Sequence, residues 1–248
     1  MPDNVKYRVL CTRSLSGELI TEAGDHGIAV DVQDFIQIKP VINKELLGEE
    51  NMRRIFSNSE IPLVFTSAHA VKVFSDQYLY QDDTCFVVGN PICCIDGNTK
   101  KLVQEEFPTN VILAEASYGT DLAAAIVALG NIREVHFFCG NQRRNELPQG
   151  LRDAGIKVNE YVIYENNPTP EVVTDAYDGV LFFSPSAVKS FFSVNKPAPE
   201  TVCFAIGTTT AAALEDYTDN KIITAPYTDA ASLVKTAIFY FNNINCYE

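Results

Sequence analysis

Apolar positions along the chain fall into short β-rich runs, each closed by a polar or glycine turn and followed by a helically spaced apolar stripe. Tyr7 to Cys11, YRVLC, stops at Thr12 and Arg13, and Ser16 to Gly27 reads as a short helix with a glycine exit. The same syntax recurs. Ile61 to Phe65 precedes a helix from His69, Cys85 to Val88 precedes Gly89, and Val111 to Ala114 precedes a helix from Thr120. Val135 to Cys139 precedes a helix ending at Gly155, and Val180 to Phe183 precedes one from Ser186. Cys203 to Ile206 leads to a helix from Thr208, and Ile222 to Ala225 to a last one from about Asp229. Strand, turn and helix in this order is the unit of a parallel sheet, whose ligand-facing loops lie at the carboxyl ends of its strands. The expected class is α/β.

The pattern also repeats over long distances. FTSAHAVKVF from Phe65 returns as FFSPSAVKSF from Phe182. VVGN at Val87 to Asn90 is matched to AIGT at Ala205 to Thr208, and ILAEASYGTDLAAAI from Ile112 to ITAPYTDAASLVKTAI from Ile223. The helix ends AGDHGI, closing at Ile28, and LRDAGI, closing at Ile156, pair at a different offset, and each precedes a β-rich stretch. Two offsets of this kind predict two similar parallel-sheet lobes with flanking helices, circularly rearranged, the first lobe discontinuous in sequence. The expected boundaries are 1–35 with 167–248 for lobe one and 41–161 for lobe two, with connectors at 36–40 and 162–166 able to pair as two strands. Chance likeness between βα units is the competing explanation of the repeat.

Candidate chemistry concentrates in the turns. Ser67 and His69, and at matching positions Ser184 and Ser186, stand where a strand gives way to a helix, whose free N–H groups attract anions. Ordinary helix capping is the plainer role for such hydroxyls. Gly89 with Asn90, and Gly207 with Thr208, Thr209 and Thr210, form a further loop layer; CGNQRR supplies Gly140, Asn141, Arg143 and Arg144 at another strand end. Arg13, directly after the first strand, is the better-placed cation. Tyr164, in the second crossing, offers a phenol as hydrogen-bond partner or weak proton donor, or serves as a buried aromatic with its hydroxyl satisfied. Thr228 lies near the end of the final strand, where APYTD also makes a sensible helix entry. No GxGxxG, GxxxxGK[ST] or GxSxG motif is present, so the sequence signals neither a dinucleotide site, a phosphate loop nor a hydrolase elbow.

Composition narrows the classes further. The chain has 248 residues, 32 acidic and 19 basic, for a formal charge of -13. That balance disfavours nucleic acid as a partner, although a cleft can still bind a small anion through local donors. Seven cysteines without CxxC or Cys/His spacing predict reduced, buried thiols rather than a metal site or disulfide framework. No apolar run is long enough to span a bilayer and the first residues lack a secretion signal, so a cytoplasmic location without membrane contact is expected.

Taken in order, CTR at Cys11 to Arg13, FTSAHAV, VVGN, FFCGNQRRNELPQGLRDAGI from Phe137, VIYEN from Val162, FFSPSAV and AIGTTTAAAL resemble the consecutive motifs of uroporphyrinogen-III synthases across nearly the whole chain. The resemblance implies two α/β lobes on a two-stranded connector, a monomer, and no metal or organic cofactor. It implies cyclisation of hydroxymethylbilane, a linear tetrapyrrole, to uroporphyrinogen III with inversion of ring D and loss of water through a spiro intermediate. A transient hand-over from hydroxymethylbilane synthase would fit. By motif matching Tyr164 would be catalytic, and Thr12, Arg13, Ser67, His69, Gly89, Asn90, Gly140, Asn141, Ser184, Ser186, Thr208, Thr209 and Thr228 would bind substrate. The last motif departs from the family's usual proline and threonine before the helix, so either Thr228 or Asp229 could hold the threonine position. A two-lobed, non-catalytic binder of a small polyanion would explain the repeat and the polar turns equally well.

Overall fold

The computed structural model of the chain describes residues 5–41, 55, 60–81, 84–85 and 89–243. In chain order the first elements are β1 (Tyr7–Cys11), α1 (Gly17–Asp25), β2 (Ile28–Val32), β3 (Ile36–Pro40), β4 (Leu63–Phe65) and α2 (Ala68–Phe74). A single π-turn (Ser75–Leu79) leads into a ribbon of β5 (Tyr80–Gln81) and β6 (Thr84–Cys85). Next come β7 (Ile92–Ile95), α3 (Asn98–Glu106), β8 (Ile112–Ala116), α4 (Gly119–Ala128), β9 (Glu134–Gly140), α5 (Glu146–Asp153) and β10 (Lys157–Pro168). The chain ends with β11 (Gly179–Phe182), α6 (Pro185–Phe192), β12 (Val202–Ala205), α7 (Thr208–Glu215), β13 (Ile222–Thr224) and α8 (Ala230–Asn243).

These elements separate into two compact units. Met1–Gln37 and Asn167–Glu248 form one, and Ile38–Asn166 the other. The first carries a five-stranded sheet in the order β13-β12-β11-β1-β2, parallel at every pairing. The second carries β3-β10-β9-β4-β7-β8, parallel from β10 to β8. Read across the sheets, β2-β1-β11-β12-β13 and β10-β9-β4-β7-β8 occupy the same five places, while the chain enters them at different points. The two α/β sheets are therefore circular rearrangements of one another. β3 extends the second sheet beside β10. The amide of Val41 donates to Ile163, and that of Thr169 to Phe35, at 2.9 and 3.0 Å. Because the order is reversed along the two segments, they run antiparallel.

Both sheets are covered on both faces, which is why their strands read as continuous apolar runs. In the second unit, Phe65, Phe138 and Tyr161 pack with Phe74 of α2 and with Val103 and Phe107 at α3. The opposite face, Val64, Cys93, Val135 and Phe137, meets Leu122 and Ile126 of α4 and Leu147 and Leu151 at α5. In the first unit, Val9, Cys11, Leu181 and Phe204 pack on α1 and on Leu233, Val234 and Phe241 of α8. Leu10, Val180, Phe182 and Cys203 face α6 and α7. Helix exits repeat as the sequence indicates: Gly27 after α1 and Gly155 after α5 have φ of 76° and 78°, the left-handed region that a side chain strains to adopt.

One sequence expectation is corrected. A strand at Cys85 to Val88 running straight into a ligand turn is not what occupies this place in the sheet. Residues 86–88 lie outside the described set, and the strand beside β4 is β7, Ile92–Ile95, followed by α3. The true counterpart of AIGTTTAAAL is CIDGNTKKLV, Cys94 to Val103. Thr99 and Thr210 are buried at matching positions, as are Val103 and Leu214.

Candidate functional site

In an open parallel sheet, ligands bind outside the carboxyl ends of the strands where the strand order reverses. In the second unit that point lies between β4 and β9. Leu63 to Phe65 feeds into Ser67, the N-cap of α2, with φ -150° and ψ 143°. Its Oγ accepts the amide of Ala70 at 3.1 Å, satisfying one of the orphan donors of the first turn. The same Oγ lies 2.9 Å from the hydroxyl of Tyr164. The ring of His69, exposed on the first turn of α2, stands 5.9 Å from that of Tyr164.

Tyr164 reaches this place through a break in the β ladder. Along β10, Tyr161 and Ile163 face the α2–α3 side and Val162 faces the α4–α5 side. Strict alternation would send residue 164 with Val162, away from Ser67. The register shifts between Val162, opposite Cys139, and Tyr164, opposite Gly140. Such a bulge re-aims a side chain, and here it turns Tyr164 onto the α2 face. The ring then lies over Gly140, where a Cβ would fall 2.4 Å from Tyr164 Cζ and 2.8 Å from its oxygen. Glycine at position 140 is thus a seat for the phenol. Asn141 secures the other side: its amide donates to the Tyr164 carbonyl at 3.1 Å, and its Oδ1 accepts the Asn166 amide at 2.9 Å. Burial raises the pKa of Tyr164, and its hydrogen bond with Ser67 partly offsets the rise.

The arginines of CGNQRR divide. Arg143 is engaged by Glu160, which also holds Arg152, so its fork is turned along the surface of β10. Arg144 is exposed. Gly89 and Asn90 are not brought to this edge. Asn90 precedes β7 and is buried; its Nδ2 donates to Ile61 before β4, and its carbonyl accepts from Asn110 before β8. All three stand at the amino ends of parallel strands, the far edge of the sheet from Ser67. The turn that does follow β7 is Asp96, Gly97 and Asn98, with Gly97 at φ 75° and its amide donating to Asp96 Oδ1 at 2.7 Å. These residues escaped the sequence reading, though the 111-residue offset shared by ILAEAS and ITAPYT would have found them.

In the first unit the order reverses between β1 and β11. Thr12 is buried and committed to structure, its hydroxyl donating to the Leu181 carbonyl at 2.8 Å. Arg13 is exposed and stacks its guanidinium 4.6 Å from the centre of the Phe183 ring. Ser184 caps α6 with φ -162° and ψ 156°, accepting from Ala187 at 3.1 Å. Ser186 is half-buried in the first turn of α6. Thr208 and Thr209 are exposed on the first turn of α7, and a Cβ on Gly207 would lie 3.0 Å from Thr228 Cγ2. Asp229 caps α8 by accepting the Ser232 amide at 2.7 Å, so Thr228 sits one residue before the cap. All of these belong to the carboxyl edge of one sheet.

Other chemistry is muted. Cys11, Cys93, Cys94, Cys139 and Cys203 are buried, and desolvation pushes their thiols up to about 11 or 12, which leaves them protonated and inert. The side chain of Cys85 and all of Cys246 lie outside the described residues. Among the described residues no cluster of His, Cys, Asp and Glu could hold a metal ion, and no helix is long and apolar enough to cross a membrane.

Two doubly wound units with polar turns at their switch points define a ligand-binding α/β protein. A uroporphyrinogen-III synthase family model (HEM4, HemD) matches residues 17–235, and the chain belongs to that family. Its activity is the cyclisation of hydroxymethylbilane to uroporphyrinogen III. Among solved structures, uroporphyrinogen-III synthetase from Helicobacter pylori 26695 is 15% identical with a TM-score of 0.68, covering 94% of this chain and 99% of that one. A mutant uroporphyrinogen III synthase from the extremely thermophilic bacterium Thermus thermophilus is 14% identical with a TM-score of 0.63, covering 98% and 100%. At such identities the likeness concerns the fold. No curated protein matches the chain significantly.

Proposed function

We propose that the chain closes hydroxymethylbilane through a spiro intermediate, inverting ring D, and that Tyr164 supplies the proton on which the leaving hydroxyl departs. The observation that carries this is the placement of the Tyr164 hydroxyl. It stands at the switch point of its sheet, seated on Gly140 and 2.9 Å from Ser67. In this reading the terminal carbon–oxygen bond breaks with its electron pair going to oxygen, the phenol proton converts hydroxide to water, and the pyrrole nitrogen, keeping its proton, supplies electrons to form an azafulvenium cation. The substituted carbon of ring D attacks to give the spiro centre, which fragments and recloses at the free α carbon. The proton lost from that carbon restores the phenol, so only water leaves. Since the substrate carries the reactivity, the protein contributes mainly orientation and one weak acid.

Arg13 and the first turns of α2, α6 and α7 would take up substrate carboxylates. Asp96 to Asn98 joins the substrate-facing loops in place of Gly89 and Asn90. Action as a cytoplasmic monomer, receiving its substrate directly from hydroxymethylbilane synthase, completes the reading. Family membership favours it over a non-catalytic polyanion binder. Tyr164→Phe should lower turnover by about 10²-fold while leaving the thermal midpoint near that of the parent. Unchanged turnover would remove the assigned role. Because the acid must be protonated and its pKa lies above the ordinary phenol value, kcat should be sustained at neutral pH and fall only as pH rises through that raised value.

A further inference from the structure

Ser67 sits in the place of an anion-gripping turn residue, yet its hydroxyl is engaged twice within the protein. Its Oγ accepts the Ala70 amide at 3.1 Å and meets the Tyr164 hydroxyl at 2.9 Å. One proton lies between the two oxygens, and its origin decides what the pair can do. If the phenol donated, its proton would be held against Ser67 and turned away from any ligand. The serine proton would then be the one left outward, Ser67 being half-buried. If Ser67 donates, every group is used: the serine lone pair takes the helix amide, the serine proton takes a phenol lone pair, and the phenol proton is left for a ligand.

We infer that Ser67 is a positioning residue rather than a substrate ligand: its O–H donates to Tyr164, fixes the phenol and leaves the phenol proton directed outward. This rests on the reading of Tyr164 as the proton donor. It also gives Ser67 a part in the step itself, since the phenolate left by proton transfer is stabilised by the same O–H while burial alone would oppose it. The matching serine of the first unit, Ser184, has the same cap and, among the described residues, no phenol hydrogen-bonded to it: its side chain accepts the Ala187 amide. The recurrence of the turn therefore reflects the fold, and the Tyr164 contact is particular to Ser67.

The test uses the full chain labelled with ¹³Cζ-tyrosine, the Tyr164 resonance being assigned by its absence in Tyr164→Phe. Ser67→Gly removes the hydroxyl while costing the helix cap only a few tenths of a kcal/mol, so folding is retained. Its Tyr164 titration should move upward. Its kcat should fall by roughly tenfold with KM within about twofold, and the alkaline limb of kcat should shift to higher pH. Ser67→Thr, which keeps the hydroxyl, should restore all three. An unmoved Tyr164 titration in Ser67→Gly overturns the assignment. A downward shift does too, because it would show Ser67 favouring the neutral phenol over the phenolate. Full turnover in Tyr164→Phe would instead sink the proton-donor reading, while the titration still decides whether Ser67 stabilises the phenolate.

Discussion

Ser67 and Ser184 end corresponding strands of the two units and cap corresponding helices in nearly the same way, each accepting an amide three residues on at 3.1 Å. Their surroundings differ. Beside Ser67 the neighbouring strand ends in Gly140, and a bulge in the next one sets a phenol on that glycine. Beside Ser184 the neighbouring strand is followed by Thr12 and Arg13, the threonine tied to Leu181 and the guanidinium stacked on Phe183. One scaffold therefore carries a weak acid in one unit and a cation in the other. The common part is what a βα turn requires to start a helix. The chemistry lies in what stands next to it.

Substitutions can break that contrast at successive levels. The largest effect is expected at Gly140→Ala, because the added methyl falls 2.4 Å from Tyr164 Cζ and the ring must leave its seat. Turnover should drop by about 10²-fold, with a stability loss of about 1–3 kcal/mol for overpacking; kinetics and thermal unfolding measure the two separately. Arg13→Ala should act on capture, raising KM by roughly fivefold with kcat within about twofold, the pattern of an interaction made equally in ground and transition states. Equal substrate affinity in a binding titration would count against the cation's role. Ser184→Ala should cost about 1 kcal/mol in denaturant unfolding by loss of the α6 cap, and Ser184→Gly only a few tenths. Neither should move the Tyr164 titration, which sets the unit-one cap apart from Ser67.

Much of the architecture is legible in the chain because its determinants are local. Apolar runs such as YRVLC and GVLF are strands buried on both faces, and the AGDHGI and LRDAGI exits end in glycines whose positive φ only glycine takes readily. The candidate turns at Ser67 and Ser184 were legible for the same reason. What was not legible depends on pairing. VVGN looks like a strand meeting a glycine turn, but Asn90 is spent on Ile61 at the amino edge, and the equivalent turn is Asp96 to Asn98. A slipped register in β10 aims Tyr164, and no local composition announces it. Thr12 and Asn141 read as ligand contacts from their place in the turns, and the hydrogen bonds by which they also hold neighbouring strands together are not legible there.

The most direct test of the account is the identity of the product. Freshly generated hydroxymethylbilane incubated with the purified chain, with the oxidised porphyrin isomers then resolved, should give predominantly uroporphyrin III, faster than closure in buffer. Formation of isomer I alone, at the rate of the protein-free control, would contradict it.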